Sequence, residues 1–185
     1  MSKQKIKYIN FYKLSDEELK IILNERNSQR IREKMLNQNI ISEDEHLSFC
    51  RSLENDKSKI YAEILLDDNF IGVVDAQSID FSSGTYEPGS YFKENISEMV
   101  IRSALTGFCL FFLKNKLFYP HIRVRKDNLQ ALLFNTMKCE ATIVSEDENV
   151  YYLTNDFLNP KIRSFEENKK LILDLTKEFE LEFDL

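Results

Sequence analysis

Residues Tyr91–Phe112 read YFKENISEMVIRSALTGFCLFF: the end of a strand, a short polar loop, then a helix apolar on nearly every side. A helix of that kind belongs at the centre of a domain, with the other elements packed around it. Its N-terminus is also where a strand–loop–helix unit holds an anion. The first backbone N–H groups there have no helical acceptor, and the positive end of the helix dipole points outward.

Working outward toward the N-terminus, Gly84–Phe92 reads as the strand feeding this helix. Pro88-Gly89 lies inside it, and proline cannot donate to a ladder, so a bulge or splay is expected near Pro88. Lys59–Leu66 and Phe70–Ile79 are apolar, partly β-branched runs either side of Asp67-Asp68-Asn69, which predicts a hairpin. Ser42 and Glu45 form a capping box opening a helix to about Leu53, and Ser15 and Glu18 form another opening a helix to about Asn24. A short helix over Gln29–Leu36 lies between them, and Ile6–Phe11 is a first strand.

On the C-terminal side, His121–Arg125 is a strand and Asn128–Met137 a helix capped by Asp127 or Asn128. Ala141–Ser145 and Val150–Thr154 pair across an acidic turn. Ser164 and Glu167 cap a helix to about Lys177. Glu178–Leu185 alternates apolar and acidic residues as a strand would, but also continues that helix, so both readings stay open. The order β-α-α-β-β-β-α-β-α-β-β predicts an α/β (α+β) single domain around a mixed sheet, over residues 1–158, with 159–185 as an extension packing on it or on a partner.

The 185 residues suit one domain with its own core. A net charge of −6 argues against broad, sequence-independent nucleic-acid binding. Cys50, Cys109 and Cys139 are odd in number and widely spaced, which fits reduced thiols in the cytoplasm. With two distant histidines they form no recognisable zinc motif. MSKQKIKYINF has no apolar signal core, and the longest apolar run, Phe108–Leu113, is too short to span a membrane. No metal, membrane or nucleic-acid partner is expected; a homodimer stays open.

The element order, with a bulged strand feeding the central helix, resembles the GNAT superfamily of N-acetyltransferases. Glu25-Arg26-Asn27, Met35, Glu45-His46-Leu47 and Phe49 resemble the branch that acetylates UDP-linked amino sugars. So do Ile71-Gly72-Val73-Val74-Asp75, Gly89-Ser90-Tyr91 and Asp127-Asn128-Leu129-Gln130-Ala131. The resemblance covers about residues 6–154. It implies acetyl-CoA lying in a gap between the fourth and fifth strands, its diphosphate on the N-terminus of the central helix. It places Gly89, Ser90, Tyr91, Ile96, Ser97, Glu98, Met99, Asn128, Ala131 and Asn135 at the cofactor. Arg26, Met35 and His46 fall on the acceptor side, with Arg26 toward a nucleotide phosphate, and Asp75 or Glu87 serves as base. The acceptor would be a nucleotide sugar or another small primary amine.

The sequence departs from the family pattern in two places. The two loop glycines that let backbone close on a diphosphate fall on Glu98 and Val100, and Asn95 with Glu98 reads as a cap that would occupy the same amides. The tyrosine that acts as acid in many relatives is Asn135, and the residues that follow are Cys139-Glu140 rather than glycine or histidine and then phenylalanine. An amide cannot deliver a proton at neutral pH. Two readings therefore stand: an N-acetyltransferase, or a binding module with its cofactor gap closed. The basic face His121, Arg123 and Arg125 would meet a cofactor phosphate, a nucleotide, the acidic C-terminal segment, or only water.

Overall fold

The computed structural model describes residues 3–185. Strand β1 (Gln4–Asn10) leads into α1 (Asp16–Asn27), α2 (Gln29–Arg32) and α3 (Glu43–Ser52). β2 (Ile60–Leu66), β3 (Asn69–Asp80) and β4 (Thr85–Phe92) form an antiparallel meander, and α4 (Glu98–Lys114) follows. Then come β5 (Tyr119–Pro120), β6 (Ile122–Arg125), α5 (Leu129–Leu133), β7 (Thr142–Glu146), β8 (Val150–Thr154), α6 (Phe165–Leu175) and β9 (Phe179–Asp184).

The main sheet runs β5-β4-β3-β2-β1-β9, and a smaller sheet runs β6-β8-β7. The parallel β4–β5 contact holds only two residue pairs, Thr85 with Tyr119 and Tyr86 with Pro120. Beyond the His121 N–H bond to the Tyr86 carbonyl, 2.7 Å, β6 leaves for the second sheet and the edge of β4 is left without a strand partner. The expected splay at Pro88 is therefore present. Pro88 stays in register opposite Ala76; the bulge lies instead in β3, between Gln77 and Asp80, where Ser78 takes a φ of 50°.

Alternation along the meander sends two sets of side chains to opposite faces. Ile60, Ala62, Ile64, Val74 and Ala76 join the core built on α4. Val73, Tyr61 and Tyr91 face α1 and α3 with Leu19, Ile22, Cys50 and Leu53. α4 is the central helix its composition predicts, burying Val100, Ala104, Phe108, Phe112 and Leu113. Gly107 on α4 makes room for Tyr8 of β1: a Cβ there would lie 2.6 Å from Tyr8 Oη, which donates to the Ala104 carbonyl at 2.6 Å. Gly107→Ala should therefore lower stability by about 1–2 kcal/mol, overpacking outweighing the gain in helix propensity. A drop in the urea midpoint at constant m-value checks this; an unchanged midpoint contradicts it.

Glu178–Leu185 resolves as a strand. β9 runs parallel to β1 from Gln4 opposite Phe179 to Ile9 opposite Asp184, and α6 lies against α4. The acids of β9 answer lysines at the other edge of the sheet from β6: Glu182 meets Lys5 and Lys7, and Asp184 meets Lys13. The suggested pairing of this segment with the basic face of β6 is thus corrected. Arg123 and Arg125 instead meet Glu87 and Asp127.

Helix boundaries differ most from expectation at α1, α2 and α5. α1 continues to Asn27. α2 ends at Arg32, short of Leu36. α5 stops at Leu133 and passes into a π-helical turn, Phe134–Lys138.

Candidate active site

Asp75 stands in the middle of β3, directly opposite Tyr61 on β2 and Gly89 on β4. Its carboxylate lies over the Gly89 Cα: a Cβ on residue 89 would come within 2.4 Å of Asp75 Oδ2. Gly89 is thus the residue that makes room for the acid. Asp75 is 9% exposed. Burial lifts its carboxyl to about 7, against a hydrogen bond from Gln77 Nε2 at 3.2 Å, and the nearby Glu87 charge adds to the rise. Glu87 lies on the same face, held by Arg123 Nε at 2.6 Å. Of the two predicted bases, Asp75 has no cation partner among the described residues and Glu87 has one.

Tyr61 and Tyr91 flank Asp75. Burial pushes both phenols well up, so both keep their protons at neutral pH. Neither Tyr61 nor Arg32 lies in a motif that marks it in the sequence. Arg26 Nη2 donates to the Asn37 carbonyl at 2.7 Å and Arg32 Nη1 to the Gln38 carbonyl at 3.0 Å. Asn27 closes the same loop with two bonds to the Ile41 backbone, at 2.8 and 3.0 Å. What remains is unusual: Arg26 Nη1 and Arg32 Nε are buried and donate to nothing, and neither arginine meets a carboxylate among the described residues. Burial lowers the Arg26 pKa, and the neighbouring Arg32 lowers it further, while Tyr91 and Tyr61 oppose. Two adjacent cations without a counter-ion have the chemistry to take an anion.

Met35 sits half-buried just after α2, its N–H bonded to the Arg32 carbonyl. His46 is buried, 3.6 Å from the Cys50 sulfur and edge-on to Phe11. Burial lowers its pKa, so it packs α3 as a neutral ring.

On the cofactor side, the expected cap by Asn95 and Glu98 is not present. Asn95 takes a φ of 63°, Ser97 is the cap, and Glu98 is the first helical residue. Ser97 Oγ accepts from the Val100 N–H at 3.4 Å, while the N–H groups of Ile96, Ser97, Glu98 and Met99 have no acceptor among the described residues. Val100 is buried in the core. Alternation along β4 aims the backbone of Ser90, like that of Tyr86, at the open edge, so its N–H and C=O have no strand partner. Pro88 faces the same way, where its missing N–H costs no ladder bond. Asn128 Oδ1 caps α5 by accepting from Ala131 N at 3.2 Å, and Asn135 Nδ2 donates to the Ala131 carbonyl at 2.9 Å. A closed-gap binding module requires side chains filling the split. Among the described residues its crossing bonds are His121–Tyr86 and Arg123–Glu87, both at the apex.

A meander whose last strand parts from its parallel neighbour, beside a central helix with open N-terminal amides, defines the GNAT fold. Solved structures agree. Spermidine N-acetyltransferase from Vibrio cholerae, in complex with CoA and spermine, superposes with a TM-score of 0.67 over 82% of this chain and 95% of that one, at 14% identity. Campylobacter jejuni N-acetyltransferase PseH, in complex with acetyl coenzyme A, gives 0.64 over 82% and 98%, at 27% identity. No protein-family model matches the chain. In sequence, acetyltransferase PseH of C. jejuni strain 81-176 is 30% identical over 150 residues, 80% of this chain and 92% of that protein. PseH of strain NCTC 11168 is 31% identical over the same span. The chain belongs to the PseH acetyltransferase family.

Proposed function

We propose that this chain is an acetyl-CoA-dependent N-acetyltransferase whose acceptor is a primary amine on a nucleotide-linked amino sugar. The observation that carries this reading is a buried carboxyl, Asp75, on the sheet face it shares with Tyr61 and Tyr91, with two guanidinium groups without a carboxylate partner among the described residues on the helices beside those tyrosines. The residues present fit the cofactor. The unpaired backbone of Ser90 suits an extended, amide-bearing arm laid along the edge of β4, and the free amides of Ile96–Met99 suit a diphosphate. Acetyl-CoA supplies an acetyl group activated as a thioester.

The chain's own residues do the rest. Asp75, partly ionised at neutral pH, takes the proton of the acceptor's ammonium and leaves a nucleophilic amine. Tyr61 and Tyr91 retain their hydroxyl protons and are the donors placed on that face, a role that Asn135 cannot fill. Arg26 and Arg32 take the acceptor's phosphates and fix the amine relative to Asp75. We place the reaction in the cytoplasm, where nucleotide sugars and acetyl-CoA occur together; among the described residues, no helix is long and apolar enough to cross a membrane.

The test is a pair of acceptors. Arg32→Gln should raise KM about tenfold or more for a UDP-linked amino sugar. KM for the same amino sugar without the nucleotide should not change. Equal effects on both acceptors, or none, would contradict the phosphate assignment.

A further inference from the structure

Among the described residues, four helices longer than two turns begin with a serine cap, and three of them close their own N-termini. Ser15 with Glu18, Ser42 with Glu45 and Ser164 with Glu167 form complete capping boxes, each glutamate reaching back to the cap N–H. α4 does not. Its acid, Glu98, sits at the first helical position and turns outward to Lys138 Nζ at 3.1 Å.

Lys138 is an odd residue to find there. A cation beside a helix N-terminus opposes the dipole. It arrives as the last residue of the π-helical turn Phe134–Lys138, a distortion that recurs at functional sites. The ion pair is also weakly held: the Lys138 and Glu98 side chains are 49% and 60% exposed, and exposed pairs contribute little. A bound dianion beside the free amides would compete for Lys138 on favourable terms.

We infer that Lys138 is a ligand of the cofactor diphosphate, and that Glu98 occupies its ammonium group until the cofactor displaces it. Resting on the acetyl-CoA reading above, this assigns to a lysine side chain part of the charge neutralisation that the missing glycines leave to backbone amides alone. It also explains how an acid is tolerated at the mouth of an anion site. Glu98 is neutralised in the free protein, and its exposed side chain is free to swing into solvent when the cofactor binds.

Calorimetric titration of the full chain with acetyl-CoA tests it. Lys138→Met should weaken binding about tenfold or more at low salt, and Glu98→Gly should tighten it several-fold. In the Glu98→Gly background, Lys138→Met should still weaken binding about tenfold. No loss in that background would overturn the assignment, because Lys138 would then serve only to neutralise Glu98. The loss should be the same for dephospho-CoA, which lacks the 3′-phosphate but keeps the diphosphate. A loss confined to CoA itself would move Lys138 to the 3′-phosphate and overturn the assignment too. A wild-type chain that gives no heat with acetyl-CoA defeats the cofactor reading, an outcome separate from wild-type binding with an indifferent Lys138→Met.

Discussion

Asp75→Asn should lower kcat by about 10²–10⁴-fold, the usual range for losing a positioned general base, with acetyl-CoA affinity unchanged. In the wild type, kcat/KM should rise with pH through an apparent pKa near 7, and that limb should vanish in the variant. Stability should move the other way. A carboxyl raised to about 7 in the folded chain and near its ordinary value of about 4 when unfolded keeps its proton longer in the fold. The fold is therefore favoured below pH 4, and this contribution is lost as pH rises toward 7 and stays lost above it. Asparagine mimics the protonated acid. Asp75→Asn should thus match the wild-type Tm near pH 4 and exceed it by several degrees at pH 8. A variant less stable at pH 8 and fully active would show that Asp75 serves the fold rather than the reaction.

Ending the chain at residue 158 should have the largest effect on stability. α6 and β9 would be lost, uncovering the β1 edge and much of α4. Tyr8 would lose the Phe183 ring stacked on it at 4.8 Å, and Ile172 and Phe179 would leave the main core. Each buried side chain of that size is worth about 1.5–3 kcal/mol, against a net stability of about 5–15 kcal/mol for a domain. The exposed β1 edge would add a template for aggregation. Size-exclusion chromatography should show aggregate and thermal melts should lose cooperativity. A soluble 1–158 chain melting like the full one would show that the extension is dispensable.

Much of the fold is legible in local chemistry. Three serine–glutamate boxes mark α1, α3 and α6 at their observed starts. The Asp67-Asp68 turn marks the hairpin, both residues taking positive φ. Glu178–Leu185 is ambiguous in sequence because its helical continuation is as good as its alternation. Parallel pairing with β1, a contact 175 residues away along the chain from Gln4 to Phe179, selects the strand.

The site is less legible, and the reason is register. Counting back evenly from the hairpin turn sets Tyr61 opposite Val74. The bulge between Ile64 and Leu65 shifts it by one, to Asp75, and a one-residue shift exchanges faces. Arg32 carries no sequence signal for another reason. Its significance lies in the bond it does not make, which only the loop folding back to the Gln38 carbonyl exposes. In sequence Asn95 reads as the cap of α4 because it stands three residues before an acid. Its left-handed backbone passes that role to Ser97 and leaves Glu98 free for Lys138.

The most direct test of the central claim is acetyl transfer itself, followed by mass spectrometry with ¹³C-labelled acetyl-CoA and a UDP-linked amino sugar. The expected result is one labelled acetyl group on the sugar nitrogen, formed by the wild type and nearly abolished by Asp75→Asn. Binding of acetyl-CoA without transfer to this or any other primary amine would contradict it.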